Sequence, residues 1–133
     1  MLLGLNHLHS AGYSHRALTP ENILFLNEDH NVLKIISFGS STKIGSADFR
    51  KKYGSPLYMS PEMYAGNYTS KCDVWSAGIL LYIMIVGCMP FFAETIPDIQ
   101  KVINKGKIAK PRDWKKVSEQ FKSLVKICLS KEN

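Results

Sequence analysis

The sequence predicts a mainly α-helical domain carrying one small β-hairpin, and three observations lead there. Apolar residues recur at helical spacing near both ends of the chain and fill one long run from Ala77 to Phe92. Two short β-prone runs flank a turn-rich stretch. Composition is ordinary for a globular protein, 45% hydrophobic and 21% charged, and 133 residues allow a single domain, residues 1–133, with one real core.

Each element follows in order. Leu2, Leu3, Leu5 and Leu8 mark one side of a short helix ending near Gly12. Ser14 to Asn22 is a loop, because Pro20 steers Thr19 away from helical angles. Ile23–Leu26 and Val32–Ile36 read as the arms of the hairpin, with Asn27–Asn31 as its turn. Ser37 to Pro61 is long, polar and without period, the kind of loop that usually carries function. Helix resumes at Pro61–Tyr64 and again from Asp73 to Val86, the latter apolar on nearly every face and therefore expected to be surrounded by protein. Two amphipathic helices follow, near Ile96–Asn104 and Ser118–Leu129.

Several classes drop out. The apolar run at 77–92 contains Gly78, Gly87 and Pro90 and is too short to cross a bilayer. Cys72, Cys88 and Cys128 are far apart and form no CxxC pair, so reduced, mostly buried thiols in a cytoplasmic protein are expected, with neither a disulfide framework nor zinc. His7 and His9 point about 200° apart on a helix and cannot share a metal, so both read as ordinary helix residues. The formal charge of +6 is not gathered into a dense basic arm, and neither nucleic acid nor a membrane is expected as a partner.

Four motifs carry a sharper reading. His15-Arg16-Ala17-Leu18-Thr19-Pro20-Glu21-Asn22 matches the pattern H-R-D-L-x-x-x-N, Ser37-Phe38-Gly39 matches D-F-G, and Ser60-Pro61-Glu62 matches A-P-E. Asp73-Val74-Trp75-Ser76-Ala77-Gly78 opens the long apolar helix. In this order and in these loop, strand and helix settings, the chain resembles the C-terminal lobe of eukaryotic protein kinases, most like the calcium/calmodulin-dependent and calcium-dependent Ser/Thr kinases. The resemblance implies an incomplete kinase-like lobe, with the N-terminal lobe and the last helix of the C-terminal lobe absent. It also implies that Glu62 lacks an Arg partner, and that Asp73 accepts hydrogen bonds from the catalytic-loop backbone.

The departures from the family pattern shape the expected function. Ala17 stands at the position of the catalytic Asp, and Thr19 at that of a Lys that steadies the transferring phosphate. Ser37 replaces the D-F-G Asp that binds magnesium, leaving Asn22 as the remnant metal ligand. Leu24 is the remnant floor of the adenine site, backed by Ile23, Phe25, Leu80 and Met84, five residues expected to act as plain core. Lys51 falls where many kinases carry a phosphorylated residue gripped by the H-R-D Arg, and it is expected to repel Arg16. The pattern predicts a pseudokinase, not an enzyme: an interaction or scaffold module with a protein partner and no cofactor for the chain alone. The alternative is a Ser/Thr protein kinase using ATP and Mg²⁺, with an N-terminal lobe supplied and the lost Asp residues compensated.

Overall fold

Side-chain caps start three of the helices where the sequence places them. In this computed structural model, which describes residues 1–29 and 32–131, the helices are α1 (Leu2–Ser10), α2 (Pro61–Ala65), α3 (Lys71–Val86), α4 (Ile96–Lys105) and α5 (Glu119–Cys128). Ser60 accepts from the Met63 amide at 3.2 Å, Thr95 from Asp98 at 3.3 Å and Ser118 from Phe121 at 3.3 Å, each satisfying an amide that the first helical turn leaves unpaired. Gly87 ends α3 at φ +77°, a conformation a side chain would strain.

The hairpin is β2 (Ile23–Phe25) against β3 (Leu33–Ile35), antiparallel, with Leu24 opposite Lys34. Its turn is described as far as Asp29; His30 and Asn31, like Glu132 and Asn133, lie outside the described residues. A second antiparallel ladder has no counterpart in the sequence reading. It pairs β1 (Tyr13–Ser14) with β4 (Thr42–Lys43) and so ties the loop at 14–22 to the long segment after the hairpin.

The core gathers around the first three turns of α3. Trp75 stacks on Phe91 at 5.6 Å, and Ile79 and Tyr82 pack with Met63, Ile103 and Val125 from the neighbouring helices. A smaller cluster joins Leu5 and Leu18 to Ala77 and Leu80, pinning α1 and the loop at 14–22 onto the same helix. The expectation that α3 is covered on every side fails at its last turn, where Met84 is 72% exposed and Ile85 is exposed as well. The three cysteines are free thiols; Cys72 and Cys128 are buried, whereas Cys88 is exposed.

The crossing of α3 and α5 depends on a missing side chain. A Cβ at Gly78 would lie 2.6 Å from Cys128 Cβ and 3.1 Å from Leu129 Cδ2. The closer neighbour cannot swing clear, since a Cβ is fixed to its own helix backbone. Gly78→Ala is therefore expected to destabilise the fold by about 1–2 kcal/mol, because overpacking of roughly 1–3 kcal/mol outweighs the better helix propensity of alanine. Urea denaturation checks it, and an unchanged or higher midpoint would count against this reading of the crossing.

Candidate functional site

Asp73 organises the site from beneath. It is fully buried at the start of α3, and its carboxylate accepts from the amides of His15 at 2.8 Å and Arg16 at 2.6 Å, from Ser14 Oγ at 2.8 Å and from His9 Nε2 at 2.9 Å. Burial works against its charge, but the bonds from His9, the two amides and Ser14 outweigh it and hold the carboxyl below the usual carboxylate range. His9 is thus not an ordinary helix residue. It reaches from α1 to Asp73 across 64 positions of sequence, and no local pattern signals such a contact.

The loop above Asp73 is held in a specific shape. Arg16 and Ser37 both adopt left-handed backbone angles, φ 66° and 67°, which cost energy for residues other than glycine and persist only where surrounding contacts enforce them. His15 Nε2 bonds the Ile36 carbonyl at 2.8 Å and its ring meets Phe38 edge-on at 5.2 Å, which joins the loop to the segment carrying Ser37. Asn22 Nδ2 donates to the Ala17 carbonyl at 2.8 Å and closes the loop on itself. Thr19 is buried at the start of the Pro20–Asn22 turn. Gly54 comes down on top of Ala17: a Cβ there, at φ +83°, would stand 3.1 Å from Ala17 Cα. The Asn22 carbonyl in turn accepts from the Ile36 amide at 2.9 Å, so Ala17, Asn22 and the 36–38 segment lie close together.

The long loop is anchored by a cation–anion–cation bridge. Arg16 does repel Lys51, as expected, but the attraction of Asp48, which lies between them and bonds Arg16 Nη2 at 2.8 Å and Lys51 Nζ at 2.8 Å, outweighs it. Those two cations hold the Asp48 carboxyl below its usual range, Lys51 foremost. Arg16 also donates to the carbonyls of Ser40 at 2.6 Å and Asp48 at 2.9 Å, and its guanidinium lies 4.3 Å from the Tyr53 ring centre. An acidic side chain is thus already present where a phosphate would otherwise meet Arg16. Sequence reasoning missed Asp48 because its two partners sit 32 and 3 residues away and only the fold joins them. Asp48→Asn is expected to loosen the segment, so that trypsin cleaves after Arg50, Lys51 or Lys52 several-fold faster, with α-helical content unchanged. Equal cleavage rates for the two proteins would refute the anchor.

The expected ligand residues fit a divalent ion poorly. Asn22 and Ser37 offer one amide and one hydroxyl oxygen, whereas magnesium is usually held by carboxylates together with phosphate oxygens. Among the described residues no group of three His, Cys, Asp or Glu side chains could hold a metal. The expected core role of the adenine-floor residues is also corrected. Leu80 is core and Ile23 is half-buried, but Leu24 is 49% exposed, and Phe25 and Met84 stand in solvent. The cause is position: β2 and β3 form a two-stranded ribbon, and no third layer covers its outer face among the described residues. Glu62, for which the resemblance implies the loss of an Arg partner, is not without interactions.

Comparison with known proteins agrees with this geometry. The family model described as "Protein kinase domain" matches residues 1–133. The chain is 39% identical over 130 residues to calcium-dependent protein kinase 3 of Plasmodium berghei, covering 95% of this chain and 24% of that protein. It is 46% identical over 121 residues to calcium-dependent protein kinase 10 of Arabidopsis thaliana, covering 89% of this chain and 22% of the relative. Calcium-dependent protein kinase 24 of the same plant is 47% identical over 121 residues. The chain spans about a quarter of the length of these relatives. The expectation of a non-enzyme is overturned here, since the relatives it matches are named as protein kinases, which are enzymes. A family match from the first residue to the last, over a catalytic loop clasped by Asp73, places this chain in the protein kinase family.

Proposed function

We propose that the chain forms the substrate-side lobe of a Ser/Thr protein kinase domain and, paired with a nucleotide-clasping upper lobe, takes part in moving the γ-phosphate of ATP to a protein hydroxyl. The observation that supports this most is the buried Asp73 carboxylate gripping the amides of His15 and Arg16. Phosphoryl transfer asks little covalent work of a protein, and most of its catalysis is positioning and charge stabilisation. A loop held in shape retains the positioning part. The exposed apolar residues of the hairpin, Leu24 on one side and the Phe25–Leu33 pair on the other, are a natural seat for an upper lobe, because apolar surface of this kind is stabilised by being covered.

The residues divide the work unevenly. Asn22 fixes the Ala17 carbonyl, and Arg16 with Asp48 orders the segment that would line a substrate. Ala17 brings no group able to take the hydroxyl proton, so this step falls to solvent and the rate falls with it. Magnesium, where kinases bind it, neutralises charge on the phosphates; Asn22 and Ser37 alone do not make a site for it. The free thiols Cys72, Cys88 and Cys128 agree with a reducing, cytoplasmic setting.

The test joins this chain to the upper lobe of a calcium-dependent protein kinase and follows radiolabel from ATP into a serine peptide. Slow transfer that depends on this chain and drops on Asp73→Asn is expected. Transfer no faster than with the upper lobe alone would overturn the reading.

A further inference from the structure

We infer that the cleft between α4 and α5 is a docking groove for an acidic amphipathic peptide segment of a partner protein. The inference does not rest on the kinase reading, since it concerns a surface that Ala17, Asn22 and Ser37 do not touch. The groove encloses about 950 Å³, with Phe92, Val102, Ile108 and Trp114 among the residues lining it. Phe92 is 71% exposed, a large ring left in water at the mouth of a concave surface. The groove is already built, because its wall is pinned. Tyr82 Oη donates to the Ala109 carbonyl at 2.5 Å, the Ala109 amide donates to the Pro90 carbonyl at 2.9 Å, and Trp114 leans on the Tyr82 ring at 5.4 Å. A preformed site spares a ligand the cost of ordering it.

Charge selects the occupant. Residues 1–95 balance, with seven Lys and Arg against seven Asp and Glu, whereas residues 96–133 hold ten against four. The net charge of the whole protein therefore resides in the segment that builds this groove. Lys122 is neutralised by Glu119 at 2.7 Å. Lys105, Lys107, Lys110 and Lys126 also line the groove, are exposed, and form no ion pair with a described carboxylate. An apolar floor ringed by exposed ammonium groups is complementary to a segment that carries apolar anchors between carboxylates. A nucleic acid matches the charge and could stack on Phe92, but it offers no aliphatic anchors for the Val102 and Ile108 part of the floor.

The test uses the full chain and a fluorescein-labelled peptide of sequence EEDFLEELLDEE, followed by anisotropy. Saturable binding is expected, weakened by added salt and at least tenfold tighter than binding of the charge-swapped peptide KKRFLKKLLRKK. Reversing Lys105 and Lys110 together to Glu is expected to weaken it by about tenfold, as two lost surface charge pairs should. Both lysines are exposed, so the fold should survive, and circular dichroism verifies it. Phe92→Ser is a second variant that removes the apolar anchor site and leaves every charge in place, and it too is expected to weaken binding. Equal affinity for the two peptides, no effect of either variant, or full displacement by single-stranded oligothymidylate would each overturn the proposal.

Discussion

Ala17→Asp, in the chain joined to an upper lobe, is expected to raise the rate of phosphate transfer by about 10²–10⁴-fold, the usual worth of a positioned general base. Everything that would aim such a carboxylate is already in place. The Ala17 carbonyl is fixed by Asn22, the residue before it is held by Asp73, and Gly54 stays close overhead without a side chain. Ala17→Asn is the control, since it matches the shape of Asp but cannot take the proton and should gain little. Ser37→Asp should add to the gain by supplying the acidic oxygen that the site lacks, and contributions of this kind combine non-additively. Initial rates at saturating ATP and peptide measure all three. A gain below roughly tenfold for Ala17→Asp would mean that proton removal does not limit this protein.

Asp73→Ala is expected to cost about 3–5 kcal/mol of stability and to lower the thermal midpoint by about 10–20 °C. The loss exceeds that of an ordinary core mutation because the amides of His15 and Arg16, the Ser14 hydroxyl and the His9 ring would all be left facing a space with no acceptor. Asp73→Asn keeps the size and one acceptor and should cost less. The pH dependence follows from the direction of the Asp73 shift. Its carboxyl titrates lower in the folded protein than in the unfolded chain, so this stabilisation is complete above the ordinary Asp value of about 4. It drains away as pH falls through the folded value. Urea midpoints should therefore fall steadily below about pH 4 in the native chain and less steeply in Asp73→Asn. The lowered carboxyls of Glu21, Asp48 and Asp98 act in the same sense but are more exposed and remain in both proteins. Parallel pH profiles for the two proteins would show that Asp73 is not the source.

Most of the helices were legible because their signals are local. Apolar spacing gives their position and length, and the structure moves each boundary by only a residue or two. The β2–β3 hairpin was legible for the same reason. What could not be read depends on contacts between distant residues. The β1–β4 ladder is two residues long on each side and carries no alternation to notice. His9 and Asp48 act through partners that only the fold delivers, so one read as idle and the other went unnoticed. The exposed end of α3 is as apolar as its buried start, and periodicity says nothing about where neighbouring helices stop covering it. At the site, residue identity showed which groups had changed but not how firmly the unchanged ones hold the loop.

The unequal burial of the cysteines gives the protein a built-in attachment point. Burial raises the Cys72 and Cys128 thiols and disfavours their thiolates, whereas Cys88 stands in solvent, two positions before Pro90, a residue that lines the α4–α5 cleft. A maleimide dye should therefore couple once per folded molecule, at a position two residues along the chain from that cleft, without any engineered residue.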